Sequence, residues 1–209
     1  MKVSLYLVYI DKVLDLMYNL ERRCSVAKKL VLYHGTDIVS ARSIVDDGIN
    51  LNKSKRSVDF GRGLYLTENP FYASDWAIKK VRPGQKPSLV KIEYDIDAAS
   101  NYCTIKHFHT TDLKWGQFIV NNRCGFEYIK GITNKDNNIG AQYDIVIGRI
   151  ADGPVVQIVR DLQYKKVELS TAQLNAMLQK DYGYQYLLHT DAAITFVITK
   201  EIVPLRRTI

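Results

Sequence analysis

Two short stretches carry residue types that could handle a flat, polar ligand. His34-Gly35-Thr36 ends the apolar run Leu30-Val31-Leu32-Tyr33, so the histidine and glycine would sit at the tip of a buried strand. Further on, Asp59-Phe60-Gly61-Arg62-Gly63-Leu64-Tyr65-Leu66-Thr67-Glu68-Asn69-Pro70 sets two glycines before a second apolar run. Glycine lets a ligand approach the main chain closely. Leu64 to Thr67 reads as a strand, with Leu64 and Leu66 on one face and Tyr65 on the other. Asn69 suits a helix cap and Pro70 the first helical position. In that helix Ala73, Trp76 and Ala77 share a face, which turns Trp76 back toward Tyr65. Two aromatic rings beside accessible backbone make a slot for a planar group, and the same spacing also fits two core aromatics.

The elements that must position these residues read as α+β. Residues 3 to 20 carry an apolar stripe at helical spacing (Leu5, Val8, Tyr9, Val13, Leu16, Met17, Leu20), a helix packed on the back of the domain or docking a partner. Ile38, Ala41, Ile44 and Val45 form a helical face with Asp37 or Thr36 as cap and Gly48 as stop. Asn50 to Val58 is a polar loop with Lys53, Lys55 and Arg56. Leu89 to Tyr94 alternates as a strand with one solvated face. A helix is predicted over 111–124, and Thr133 to Gly140 is a loop. Tyr143 to Gly148 reads as a central strand. Asp152-Gly153-Pro154 opens a helix, and Ser170-Thr171-Ala172-Gln173 is a capping box that opens another. Gln185 to Leu188 and Ile194 to Thr199 close the chain as strands. Gly61-Arg62-Gly63 precedes its strand, so a doubly wound dinucleotide-binding fold is not indicated.

The chain has 209 residues, 46% hydrophobic and 24% charged, enough for one domain with a proper core. A net charge of +7 favours anionic partners such as nucleic acid or a phosphate-bearing co-substrate. Cys24, Cys103 and Cys124 are odd in number and unpaired in spacing, which argues for a reducing, cytoplasmic compartment. No run reaches the length of a membrane span. Met1-Lys2 and the apolar run after it faintly resemble a leader, but Asp11 follows and no small-residue cleavage site is visible, so the segment reads as structure. Cys103, His107, His109 and Asp112 cluster in sequence, yet no second ligand pair stands at zinc spacing.

Tyr33-His34-Gly35-Thr36 followed by Phe60-Gly61-Arg62-Gly63-Leu64-Tyr65 resembles the histidine–tyrosine–glutamate branch of the ADP-ribosyltransferase superfamily, which includes poly(ADP-ribose) polymerases and diphtheria toxin. Trp76 stands where that branch carries a second aromatic. Tyr143-Asp144-Ile145-Val146-Ile147-Gly148, Ala151-Asp152 and Gln185-x-x-x-His189-Thr190 look like a bacterial family of uncharacterised domains in that superfamily, domain of unknown function 3990. The resemblance covers about residues 30 to 195. It divides the chain into an N-terminal helix outside the resemblance, 1–25, and an ADP-ribosyltransferase-like domain, 26–209.

The resemblance implies a split β-sheet whose cleft binds NAD+ as co-substrate, without a metal. Gly35 would bind the nicotinamide amide through its backbone, and His34 a ribose hydroxyl. Tyr65 and Trp76 would sandwich the nicotinamide, with Thr36, Gly63, Ala73 and Ser74 completing the lining. Cleavage of nicotinamide from ribose passes through an oxocarbenium-like centre. The family usually places a glutamate there, from a late strand. Here Gln185 takes that position, with Glu93, Glu127 and Glu201 as stand-in carboxylates. The implied activity is mono-ADP-ribosylation of a protein or nucleic-acid acceptor, by a bacterial toxin or effector that a partner protein neutralises. Lys53, Lys55, Arg56, Arg62, Lys79, Lys80 and Arg82 flank the cleft in sequence and would meet the pyrophosphate or a nucleic-acid acceptor. His189 would lie near the cleft or serve structure alone. Two alternatives stay open: a silent module that binds NAD+, ADP-ribose or nucleic acid, which the glutamine favours, and an RNA 2′-phosphotransferase, whose basic set Arg42, Arg56 and Arg62 do not obviously reproduce.

Overall fold

The computed structural model describes residues 29–54 and 58–206. The helix predicted over residues 3 to 20, Cys24, Lys55 and Arg56 lie outside the described residues. The elements in chain order are β1 (Lys29–Asp37), α1 (Ile38–Asp46), β2 (Leu64–Thr67), α2 (Pro70–Lys80), β3 (Pro87–Asp95), α3 (Ile96–Ser100), β4 (Ile105–His107), α4 (Leu113–Cys124), α5 (Phe126–Ile129), β5 (Ile145–Arg149), α6 (Val155–Lys165), α7 (Thr171–Ala176), β6 (Tyr184–Leu188), α8 (Asp191–Ile194) and β7 (Val197–Val203). The fold is α+β, as the sequence indicates.

The strands form one sheet in the order β4-β5-β6-β2-β1-β3-β7. Every ladder is antiparallel except the parallel pair of β4 and β5. Alternation sends side chains to two separate cores. Leu30, Leu32, Leu64, Leu66, Val90, Ile92, Ile145, Ile147, Tyr186 and Leu188 face one core, with Ala41 of α1 and Ala193 of α8. Val146 and Leu187 face the other, with Phe60, Trp115, Phe118, Ile158 and Leu162.

The ladder between β1 and β2 consists of a single pair, Tyr33 with Thr67. β1 continues against β3 as far as Asp37, and β2 continues against β6. The two strands thus meet at one point and part on the side of His34 and Tyr65.

Local chemistry sets the ends of these elements. Asp37 caps α1, its Oδ1 accepting from the Val39 and Ser40 amides at 2.9 and 3.0 Å. Asn69 caps α2 by accepting from the Tyr72 amide at 3.0 Å, and Pro70 takes the first helical position. The capping box at Ser170 and Gln173 forms as expected.

Three local readings differ. β1 runs through His34-Gly35-Thr36 to Asp37 because the β3 ladder extends that far. Residues 191–194 form α8, with Thr190 as cap, so the last strand starts at Val197. Ile105–His107 is a short strand that pairs with β5, three residues too few to signal by alternation.

Candidate functional site

The two motifs meet where β1 and β2 part. His34 Nδ1 donates to the Tyr65 carbonyl at 2.8 Å, spanning the gap that the missing ladder leaves. A carbonyl only accepts, so the proton sits on Nδ1 and Nε2 is left as an acceptor. Burial pushes the imidazole below its ordinary range, and this hydrogen bond opposes the shift. The ring is therefore neutral near pH 7.

Gly35 is the point of closest approach between β1 and α2. A Cβ there would lie 1.9 Å from the Ala73 carbonyl oxygen, so only glycine allows the helix to pack. Gly63 has φ +152°, and a Cβ would lie 2.3 Å from the Leu188 carbonyl. Its glycine lets the loop enter β2 directly beside β6. Ala73, Ser74 and Ala77 are buried on the inner face of α2. Ser74 Oγ donates to the Pro70 carbonyl at 2.7 Å and accepts from the Arg206 amide at 2.9 Å, so its hydroxyl is engaged within the fold.

The Tyr65 ring packs against the core that holds Phe60. Its hydroxyl accepts from the Phe60 amide at 2.8 Å and donates to the Gly61 carbonyl at 2.7 Å. The glycine loop is thereby folded onto the tyrosine. Burial and then the nearby Asp59 charge push this phenol well above its ordinary range.

The second aromatic is arranged differently from the sequence expectation. Trp76 lies at the edge of the inner face of α2 and is 46% exposed. Its ring stacks on Tyr72 at 6.4 Å, under the Lys80 ammonium at 4.8 Å. Tyr72 in turn meets Tyr182 at 4.7 Å. Among the described residues no ring contact joins Tyr65 to Trp76. Tyr72 feels the same charge as Tyr65: burial, then Asp59, raises its phenol. Its one signal in sequence is the four-residue spacing to Trp76.

Gln185 sits on β6 opposite Thr67 of β2 and Gly148 of β5, so Tyr33, Thr67 and Gln185 form one row across three strands. Gln185 is buried, and its Nε2 donates to Asp59 Oδ2 at 3.3 Å. Asp59, also buried, takes Arg123 Nε on Oδ1 at 2.6 Å. The sequence reading named Asp59 only as the start of the glycine stretch, because its partners come from α4 and β6, far along the chain.

The stand-in glutamates lie elsewhere. Glu201 is on edge strand β7 and pairs with Lys91 at 2.8 Å. Glu127 pairs with Lys130 on the surface at 2.8 Å. Glu93 lies on β3 opposite Thr199. The sheet order separates β7 and β3 from β6 by β1 and β2.

A polar cavity of about 750 Å³ opens beside the glycine loop. Asn50, Lys53, Arg62 and His189 are among the residues that line it, with Asp47 and Asp191 as its carboxylates. Its lining includes none of His34, Gly35, Tyr65, Trp76 and Gln185. His189 hydrogen-bonds the Arg62 backbone and lies beside Asp144, while its buried Nδ1 has no partner among the described residues.

The His107 and His109 rings lie tilted to one another with centroids 3.8 Å apart, and burial, then the neighbouring His109, pushes His107 below the ordinary imidazole range. Among the described residues no group of three or more His, Cys, Asp and Glu is disposed around a common metal position. No helix among them is long and apolar enough to cross a membrane.

The model of a family described as a protein of unknown function, DUF3990, covers residues 30–198. No curated protein and no solved structure matches the chain.

Proposed function

The chain belongs to the DUF3990 family of proteins of unknown function, and on that premise we propose that it is an NAD+-dependent mono-ADP-ribosyltransferase with a macromolecular acceptor. The observation that carries this reading is the bridge from His34 Nδ1 to the Tyr65 carbonyl at 2.8 Å. It joins the two motifs where β1 and β2 part, with Gln185 on the neighbouring strand β6.

The residues divide the work as follows. Gly35, with no side chain between its backbone and α2, offers an amide and a carbonyl to the nicotinamide carboxamide. Neutral His34, fixed in its Nδ1–H tautomer, presents Nε2 as acceptor to a ribose hydroxyl. Tyr65 gives the planar wall, with Tyr72 and Trp76 as the stacked aromatic pair on α2. Lys53 and Arg62, on the wall of the neighbouring cavity, are the cations available to the pyrophosphate. The open ladder between β1 and β2 supports a split-sheet ADP-ribosyltransferase fold.

The test is nicotinamide release from NAD+ by the purified protein, with and without cell lysate. Wild type should release it, and Tyr65→Ala and His34→Ala should reduce release by at least tenfold. Unchanged NAD+ binding and turnover in both variants sinks the reading.

One observation favours a second reading, a binding module without chemistry. Tyr65 is sealed by the glycine loop through two hydrogen bonds, and position 185 has no carboxylate of its own. That reading expects NAD+ or ADP-ribose to bind while no nicotinamide appears.

A further inference from the structure

We propose that Asp59, carried on the loop before β2, supplies the negative charge of the reaction centre and acts on it through Gln185. The inference rests on the NAD+-cleaving reading above. It assigns a role to a buried carboxylate that no motif identified.

Gln185 alone is an incomplete partner for the chemistry. In NAD+ cleavage the C1′–N bond breaks, and its electron pair leaves with neutral nicotinamide. The ribose then carries oxocarbenium-like positive charge, until the lone pair of a macromolecular nucleophile or of water bonds to C1′ and its proton passes to solvent. An amide can orient a ribose hydroxyl but brings no charge to the developing cation.

Asp59 answers both needs. It is 8% exposed, so water screens its charge weakly. Its two oxygens are divided: Oδ1 takes Arg123 Nε at 2.6 Å, and Oδ2 takes Gln185 Nε2 at 3.3 Å. Donation from Nε2 fixes which end of the amide faces the aspartate. The Gln185 Oε1 end is then turned away as the acceptor, polarised by the anion behind it. Arg123 holds the carboxylate in place by one nitrogen only, and the adjacent Phe60 and Gly61 are pinned by the Tyr65 hydroxyl. Asp59 is thus a positioning residue, fixed against both Tyr65 and Gln185.

Glu68, a carboxylate at the other end of β2, does not share this geometry. Glu68 accepts from the Tyr186 hydroxyl at 2.8 Å. Tyr186 follows Gln185 on β6 and so points to the opposite face of the sheet.

The test measures kcat and KM for nicotinamide release in five proteins: wild type, Asp59→Asn, Gln185→Glu, the double variant Asp59→Asn/Gln185→Glu, and Glu68→Gln. Asp59→Asn keeps the shape and removes the charge. It should lower kcat about ten- to hundredfold, the size of one charge-assisted hydrogen bond, with KM for NAD+ changed less than threefold. Putting a carboxylate directly on β6 in the double variant should recover most of that loss, which a merely structural role would not permit. Glu68→Gln should match wild type. If Asp59→Asn leaves Arg123 unpaired and the protein unfolds, Asp59→Asn/Arg123→Gln removes both charges together, and a kcat loss in the same direction, smaller because the net charge beside Gln185 is unchanged, is expected. Wild-type turnover in Asp59→Asn, with Tyr65→Ala inactive, overturns the proposal and leaves the transferase reading standing. No nicotinamide release by wild type or by any carboxylate variant overturns both.

Discussion

Two buried polar networks lie against the same core and differ in kind. One is built on α4. Gln117 Nε2 donates to Asn121 Oδ1 at 2.8 Å and to the Tyr128 hydroxyl at 3.1 Å, and Gln117 Oε1 accepts from the Leu169 amide at 3.0 Å. Asn121 Nδ2 donates to the Asn134 and Asp136 carbonyls, both at 2.8 Å, and Asn122 Oδ1 accepts from the Asn138 amide at 2.8 Å. The other joins Asp59, Arg123, Gln185 and the glycine loop around Tyr65. The first is made of neutral amides that hold the 133–140 loop to the helix. The second contains a carboxylate, a guanidinium and a phenol gathered beside the two sequence motifs. Neutral and saturated groups serve structure. A charged set held at a glycine-rich strand entry has electrostatic work left to give to a ligand.

Breaking the amide network should have the largest effect on stability and the smallest on the site. Asn121→Ala removes the side-chain donor of two part-buried loop carbonyls and one of the two partners of the buried Gln117 Nε2, at roughly 1–3 kcal/mol each before relaxation. We expect about 4 kcal/mol of lost stability, a melting temperature lower by about 10 °C, and NAD+ affinity of the folded fraction within about threefold of wild type. Urea unfolding and a binding titration on one preparation check both halves. An affinity loss as large as that of Tyr65→Ala would erase the distinction between the networks.

Arg123→Met strikes the charged set instead. Among the described residues it leaves Asp59 with Gln185 as its sole hydrogen-bonding side chain, in a site where its own side chain is only 12% exposed. Removing one partner of a buried pair is expected to cost about 3 kcal/mol. The double variant Asp59→Asn/Arg123→Met should regain at least half of that, since the stranded charge goes too. A double variant no more stable than Arg123→Met would mean that packing by the arginine stem, not charge, holds the loop.

The contrast also marks what was legible in the sequence. The Gly61-Arg62-Gly63 loop, the Asn69-Pro70 helix start, the capping box at Ser170 and the strand at Gln185 rest on local rules of backbone and cap and appear where expected, whereas β1 carries on through His34-Gly35-Thr36 because β3 pairs with it that far. Asp59 was not legible as part of the site, because Arg123 and Gln185 reach it from 64 and 126 residues away. Trp76 was misread in direction: helical spacing placed it with Ala73 and Ala77, but those alanines fill the tight contact with β1, and the larger ring is left at the edge on Tyr72. The buried amides of α4 were equally hidden, since asparagine and glutamine read as surface residues until their partners are known.

The smallest effect separates the networks by acid. The amide network holds no group that titrates in mild acid, whereas His34, bonded to the Tyr65 carbonyl beside the charged network, does. Its part-buried imidazole has a folded pKa below the value near 6.5 of an unfolded chain. Between those two values the unfolded chain binds more protons than the folded one, so stability falls as pH is lowered through that window and is full above about 6.5. His34→Gln should therefore flatten the dependence of unfolding free energy on pH between about 7 and 5, by at most about 1.4 kcal/mol per pH unit for one group. His107 and His189 are depressed in the same direction, so wild type keeps a residual slope and the difference between the two proteins is the quantity to read. The aspartates held below their ordinary range, Asp37, Asp112, Asp144 and Asp181, lose their contribution only below about pH 4, outside this window. Parallel pH profiles for wild type and His34→Gln would mean that the imidazole is solvated enough to charge freely, and the fixed acceptor at Nε2 would go with it.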